Sequence, residues 1–163
     1  MTPGRSKIRN LAEVKAICAG LKNNGKKIVF TNGCFDILHP GHVKYLEAAA
    51  SLGDHLVVAI NSDSSVRAIK GPARPVMDET SRAEVLAALG SVDTVMIFHE
   101  ETPYNVIKEL MPDILVKGGD WADEQIIGSD IVRHSGGRVE RIPFLAGFST
   151  SIIIERILER YGK

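Results

Sequence analysis

The chain has only two cysteines among its 163 residues, Cys18 and Cys34. They form neither a CxxC pair nor part of a Cys/His ligand set, which argues against a disulfide-stapled secreted fold and suits a reducing compartment. Net charge is absent as well. Lys and Arg number 20 and so do Asp and Glu, so no overall field attracts a polyanion such as DNA or RNA, and any phosphate must be held locally. No stretch approaches 18 apolar residues, and the start, MTPGRSKIRN, lacks a signal-peptide core. A soluble, cytoplasmic protein without a membrane partner is the expectation. Two nucleotide fingerprints are missing too. No GxGxxG follows the first apolar run, and GLKNNGKK (20–27) fails as a P-loop: Lys27 stands where Ser or Thr should hold Mg²⁺, and the segment lies between a helix and a strand, the reverse of the required order.

What is present is ordinary globular material, 44% hydrophobic and 25% charged residues in a chain the length of one domain. Ile8, Leu11, Val14, Ile17 and Leu21 recur at helical spacing, so residues 1–25 read as a helical segment packed on a single domain spanning 1–163. KIVFT (27–31) and LVVAIN (56–61) are continuously apolar, the pattern of strands covered on both faces. DTVMIF (93–98), DILVKG (113–118) and GGRVERIP (136–143) supply three more. Helices are expected between them: one beginning at HPGH, one with a capping box from Ser81 to Glu84, one with Thr102 as N-cap and Pro103 inside it, and a closing one in STSIIIERILERYG (149–162). This alternation predicts an α/β fold, a parallel five-stranded sheet with right-handed crossovers and helices on both faces. The segment from Asn61 to Thr80 breaks the rhythm, being rich in Ser, Gly and Pro and carrying Arg67, Lys70 and Arg74. It reads as a binding loop beside the carboxyl end of the second strand.

The stretch FTNGCFDILHPGH (30–42) leaves the first strand at the end where such sheets bind ligands. Pro40 suits a first helical turn, Gly41 bares the backbone, and His39 and His42 fall on one side of that turn. Free N–H groups and the positive end of the helix dipole favour phosphate oxygens there. Imidazole titrates near neutrality, and a bound polyphosphate favours its doubly donating cation. Zinc ligation by the pair is the sharper alternative, although Asp36 is the only further ligand nearby. A purely structural role for the two rings stays open beside both.

GCFDILHPGH resembles the GxFDxxHxGH motif of the nucleotidyltransferase superfamily related to class I aminoacyl-tRNA synthetases, whose sheet is Rossmann-like. NSDSSVRAIKGPARPV, VDTVMIF, PDILVKGGDW and GGRVERIPFLAGFSTSIIIERI continue the likeness, in order, toward the branch of adenylyltransferases that make ADP-heptose. The resemblance implies ATP and a sugar 1-phosphate as substrates, with Mg²⁺ arriving on the ATP and no metal held by the protein. It implies catalytic roles for His39 and His42 on the nucleotide phosphates. Thr31, Asn32, Gly33 and Phe35 match the loop that wraps the nucleotide, and Ser149, Thr150 and Ser151 match a second phosphate motif. Lys117, Gly119 and Asp120 match a signature near the adenosine, where Gly118 and Gly119 would admit the nucleotide. Asp36, Asn61 and Asp63 are expected to orient sugar hydroxyls, and Arg67, Lys70 and Arg74 to hold the substrate phosphate. Arg82 is similar to an arginine used by related transferases, with pairing to Asp78 or Glu79 as the plainer alternative. No KMSKS-like lysine pair occurs, nor is there room for an anticodon-binding domain or a sugar-kinase half. The heptose phosphate is therefore expected from another protein. A homodimer is compatible with the sequence.

Overall fold

Each continuously apolar run becomes a strand because both of its faces can be buried. The computed structural model describes residues 7–119 and 125–162. In chain order the elements are α1 (Leu11–Asn23), β1 (Ile28–Gly33), α2 (Pro40–Ala50), β2 (His55–Asn61), α3 (Asp63–Lys70), α4 (Glu79–Ala87), β3 (Thr94–Phe98), α5 (Tyr104–Leu110), β4 (Ile114–Gly118), α6 (Ser129–His134), β5 (Arg138–Ile142) and α7 (Thr150–Tyr161). The five strands form one parallel sheet in the order β3-β2-β1-β4-β5. This is the Rossmann-like α/β architecture expected from the strand-helix alternation.

Alternate strand residues serve opposite faces. Ile28, Phe30, Val57, Ala59, Met96 and Leu115 pack against Val14 and Cys18 of α1, Val106, Ile107 and Leu110 of α5, and Val132 of α6. Their neighbours Val29, Leu56, Val58, Ile60, Ile114 and Val116 pack against Leu46 and Ala49 of α2 and Ala83, Leu86 and Ala87 of α4. All of these side chains are buried. The N-terminal helix thus closes one face of the sheet. It begins at Asn10, whose side chain forms a reciprocal capping box with Glu13.

The order of strands places a switch point between β1 and β4: from β1 the chain moves outward through β2 and β3, then returns to β4 on the other side. Adjacent loops part there, which opens a crevice beyond the carboxyl ends of those two strands.

Four local expectations need correction. The 61–80 segment is not all loop, because Ser62 caps a short helix, α3, by accepting from the Ser65 N–H. The cap of α4 is Asp78, which accepts from Ser81 N; Ser81 lies inside the helix. Helix α5 starts one residue later than a Thr102 cap would give, with Pro103 at the N-cap. Helix α6 was not anticipated, since its six residues are too short for periodicity to show.

Candidate active site

The crevice at the switch point is a cavity of about 720 Å³. Its walls come from the ends of β1 and β4, the loop from β1 into α2, the end of α3 with Arg74, residues 125–127, and the loop from β5 into α7. Among the residues singled out from sequence, Asn32, Gly33, Phe35, Asp36, His39, His42, Lys70, Arg74, Lys117 and Ser149 to Ser151 all line it.

The histidines sit at the mouth of α2 as the HPGH spacing anticipated. His39 is the N-cap residue, with extended backbone, and Pro40 occupies the first helical turn. The His39 ring makes no cap bond and is free to face the cavity. The two imidazoles stack with centroids 3.7 Å apart and 21° between planes. Phe35 leans on His42 at 5.2 Å, and Phe148 lies parallel to His39 at 6.4 Å. A Cβ at position 41 would come within 2.9 Å of His39 Nδ1, so glycine there lets the ring fold back over the helix start. Burial holds both imidazoles below the usual histidine range, and for His42, with the neighbouring His39 adding to it, down to about 4. Both rings are therefore neutral at pH 7. Each Nδ1 is buried without a hydrogen-bond partner among the described residues, and such orphaned polar atoms at a cavity wall suit a ligand that supplies the missing partner.

The loop carrying these rings is strained and clamped. Phe35 and Ile37 adopt φ of 48° and 45°, a left-handed conformation that costs non-glycine residues about 1 kcal/mol or more each. Between them Asp36 is buried. Its carboxylate accepts from Val76 N (2.9 Å), Met77 N (3.0 Å) and Arg74 Nε (2.8 Å). Burial alone would raise this carboxyl group's pKa; the two backbone donors and the guanidinium outweigh that and hold it below the usual carboxylate range. Asp36 is thus committed to holding the loop, with no exposed oxygen left for a sugar hydroxyl.

Arg82, fully buried, ties the same region from behind. It donates to Cys34 O (2.6 Å), Met77 O (3.0 Å) and Asp63 Oδ1 (2.8 Å). Asp63, and neither Asp78 nor Glu79, is its ion-pair partner. Sequence reasoning could not find this, because two of the three acceptors are backbone carbonyls in other segments.

Several expected contacts lie elsewhere. Thr31 is buried beneath the site, its hydroxyl 2.7 Å from Tyr45 Oη. Asn61 is buried against Ser65 Oγ (2.9 Å), and neither it nor Asp63 nor Arg67 reaches the cavity wall. Asp120 lies outside the described residues. Gly119 donates its N–H to Ile142 O (3.0 Å). The diglycine face is covered by a side chain: Cβ atoms at Gly118 and Gly119 would come within 2.5 and 2.6 Å of the Phe144 ring. Gly33 similarly faces the Phe35 ring, 3.0 Å from where its Cβ would be. Phe148, which opens the FSTS motif, lines this end of the cavity together with Phe144, Leu145 and Ile127, whose aromatic and apolar contribution the sequence does not announce.

Opposite the histidines, α7 begins. Ser149 caps it by accepting from Ile152 N (3.1 Å), and Thr150 Oγ1 donates to Asp36 O (2.6 Å), which fixes the helix start to the histidine loop. Free N–H groups at that start and the positive end of the dipole would favour an anion, and the imidazoles line the same cavity. Among the described residues no group of three or more His, Cys, Asp or Glu stands in a metal-holding arrangement.

These features define a class: a Rossmann-like α/β domain with an HxGH pair lining the cavity at its switch point. The chain belongs to the cytidylyltransferase-like family, whose model matches residues 30–156. It is 54% identical over 156 residues to the bifunctional protein HldE of Trichlorobacter lovleyi, an alignment covering 96% of this chain and 32% of that protein. The chain spans about a third of the length of the curated relatives it matches. Among solved structures it is similar to the lipopolysaccharide core biosynthesis protein of Thermoplasma volcanium (32% identity, TM-score 0.60, covering 74% of this chain and 98% of that one). It shares its fold, at 16% identity and TM-score 0.58, with pantoate-beta-alanine ligase of Francisella tularensis, covering 93% of this chain and 78% of that one.

Proposed function

We propose that this chain transfers AMP from ATP to the phosphate of D-glycero-β-D-manno-heptose 1-phosphate, giving ADP-heptose and pyrophosphate for lipopolysaccharide core biosynthesis. The observation that carries this reading is the pair of stacked imidazoles facing the start of α7 across one cavity. The likeness to the HldE proteins and to a lipopolysaccharide core biosynthesis protein supports this reading.

The acceptor phosphate attacks the α-phosphorus in line. A bond forms between acceptor oxygen and phosphorus as the bond to the β-phosphate oxygen breaks, and pyrophosphate leaves. A phosphate dianion is already a nucleophile, so no general base is required; the protein contributes position and charge. His39 and His42 donate to the phosphates and strengthen those bonds as charge grows on the leaving group. Ser149, Thr150 and Ser151 with the helix start hold the β- and γ-phosphates, and Asn32, Gly33 and Phe35 line the nucleotide. Mg²⁺ arriving with ATP would supply further neutralisation of the charge on the pyrophosphate. Lys70, at the rim, is the loop cation available to the substrate phosphate, since Arg74 is engaged by Asp36. The same reading takes the enzyme as cytoplasmic and as compatible with a homodimer.

Incubating the protein with Mg²⁺, heptose 1-phosphate and each NTP, then identifying the product by mass, tests the reading. ADP-heptose with ATP is the expected result. Product from CTP and a small phosphorylated alcohol instead would replace it with a cytidylyltransferase.

A further inference from the structure

The cavity needs more positive charge than its neutral histidines provide. In the reaction proposed above, a phosphate dianion must approach a triphosphate that is itself anionic, and charge must be neutralised where the two meet. Three cationic side chains line the cavity: Lys70, Arg74 and Lys117. Arg74 is spent on Asp36 at 2.8 Å. Lys70 is exposed at the end of α3, on the rim. Lys117 differs from both. It stands at the end of β4, in the floor of the crevice, and among the described residues its hydrogen bond goes to Asn32 Oδ1, a neutral acceptor. No carboxylate among those residues pairs with it. Among the described residues nothing negative offsets this partly buried ammonium, and a bound anion would do so.

Its position selects which anion. His39, Phe148 and Thr150 form one connected group around the start of α7, through the ring contact at 6.4 Å and the bond from Thr150 to Asp36 O. That group serves the leaving phosphates. Lys117 is joined instead to the end of β1, on the strand beyond β1 from β2, the strand to which α2 leads. In-line transfer requires entering and leaving oxygens on opposite sides of the phosphorus. Resting on the adenylyl-transfer reading, we propose that Lys117 binds the phosphate of the acceptor sugar and draws it to the α-phosphorus, with Asn32 orienting the ammonium.

A pH signature distinguishes this role from packing. Burial brings the Lys117 ammonium down to about 8. The other titratable groups facing the cavity leave that region clear. His39 and His42 lie below the usual histidine range, Asp36 below the usual carboxylate range, burial raises the Cys34 thiol, and Tyr45 is pushed up to about 12. Arg141 lies in register with Lys117 on β5.

The experiment compares wild type, Lys117→Met and Lys117→Arg for kcat and KM of each substrate between pH 6 and 10, with ATP affinity measured separately by calorimetry. Wild-type kcat/KM for the sugar phosphate is expected to fall above about pH 8. Lys117→Met should lower kcat/KM for that substrate by about 10²- to 10³-fold, as for loss of a charged donor at a reacting phosphate. ATP affinity should stay within about threefold of wild type, since the proposed contact is to the acceptor. Lys117→Arg should recover part of the loss and carry no basic limb. An equal loss of ATP affinity would make Lys117 a nucleotide contact and overturn the proposal, as would unchanged acceptor kinetics in Lys117→Met. NMR titration of the Lys117 side chain with inorganic phosphate reads the site without turnover. Its titration should move upward when the anion binds, and an unmoved titration counts against it. If the wild type makes no ADP-heptose but the titration moves, the substrate assignment fails while the anion site stands.

Discussion

The two halves of the candidate phosphate site are built to different standards. The half around β1 and α2 is packed into the sheet: Leu46 and Ala49 are buried, and the histidine loop is cross-tied by Asp36 and Arg82. The other half, α7, has no buried residue, and Ile157, Leu158 and Tyr161 stand 49%, 62% and 78% exposed. Among the described residues it is tied to the body by the Thr150 bond to Asp36 O, with the ring of Phe148, just before the helix, against His39. One half is therefore organised before ligand arrives. The other is held chiefly at its first turn, where the phosphates would bind, and gains most from them.

Asp36→Ala should do the greatest damage to the site, because it unties the rigid half at its centre. The substitution strands two backbone N–H groups and the Arg74 guanidinium, whose side chain is 17% exposed. Breaking such a buried pair costs about 3 kcal/mol or more, measurable by urea unfolding. The same carboxylate gives the pH sign: its folded pKa lies below the unfolded one, so its contribution is complete above about pH 4 and is lost as pH falls through the folded value. A variant lacking Asp36 should lose that part of the acid sensitivity.

His42→Ala comes next and separates chemistry from scaffold. Turnover should fall about 10²- to 10³-fold, as for removal of one preorganised donor, while the sheet stays folded by circular dichroism. Wild-type turnover would remove the ring from the mechanism. Since the His42 folded value is about 4, against about 6.5 unfolded, the unfolded chain binds more protons between those values. Native stability therefore declines as pH falls through that window, and His42→Leu should flatten the decline.

Ser149→Ala tests the lightly held half. Loss of an N-cap costs about 1 kcal/mol, but in a helix with no buried residue that cost should fall on the local order of α7 more than on global unfolding. The expected readout is a several-fold rise in the KM for ATP and faster amide exchange in α7, with the urea midpoint nearly unchanged. An equal drop in global stability would mean that α7 folds as one unit with the sheet.

How far the sequence reveals each half follows the same division. Strands buried on both faces announce themselves as unbroken apolar runs, and His-Pro-Gly-His marks a helix mouth because Pro and Gly have few other uses there. The histidine loop's clamp is invisible in sequence, since Asp36 meets residues 38 to 41 positions away and Arg82 meets a carbonyl 48 positions away. Helix α3 hides in a Ser- and Arg-rich stretch that reads as loop, because Val66 is its one buried apolar residue. At the C-terminal side the periodicity of IIIERIL predicts α7 well, yet says nothing of whether a surface receives it. The Phe144 ring over the diglycine is equally hidden, being a contact between two turns rather than a property of either.

The smallest effect is the most direct comparison of the halves. Leu86 on α4 and Leu158 on α7 are the same residue on amphipathic helices, 1% and 62% exposed. Leu86→Ala opens a cavity between α4 and the sheet and should cost about 2–5 kcal/mol. Leu158→Ala removes atoms already in water, so the change should stay within about 0.5 kcal/mol. Urea midpoints measured at several protein concentrations read both at once. If Leu158→Ala approached the Leu86 value, and did so only at high concentration, the exposed face of α7 would be covered by a second copy, and the helix would be held by assembly rather than by its first turn.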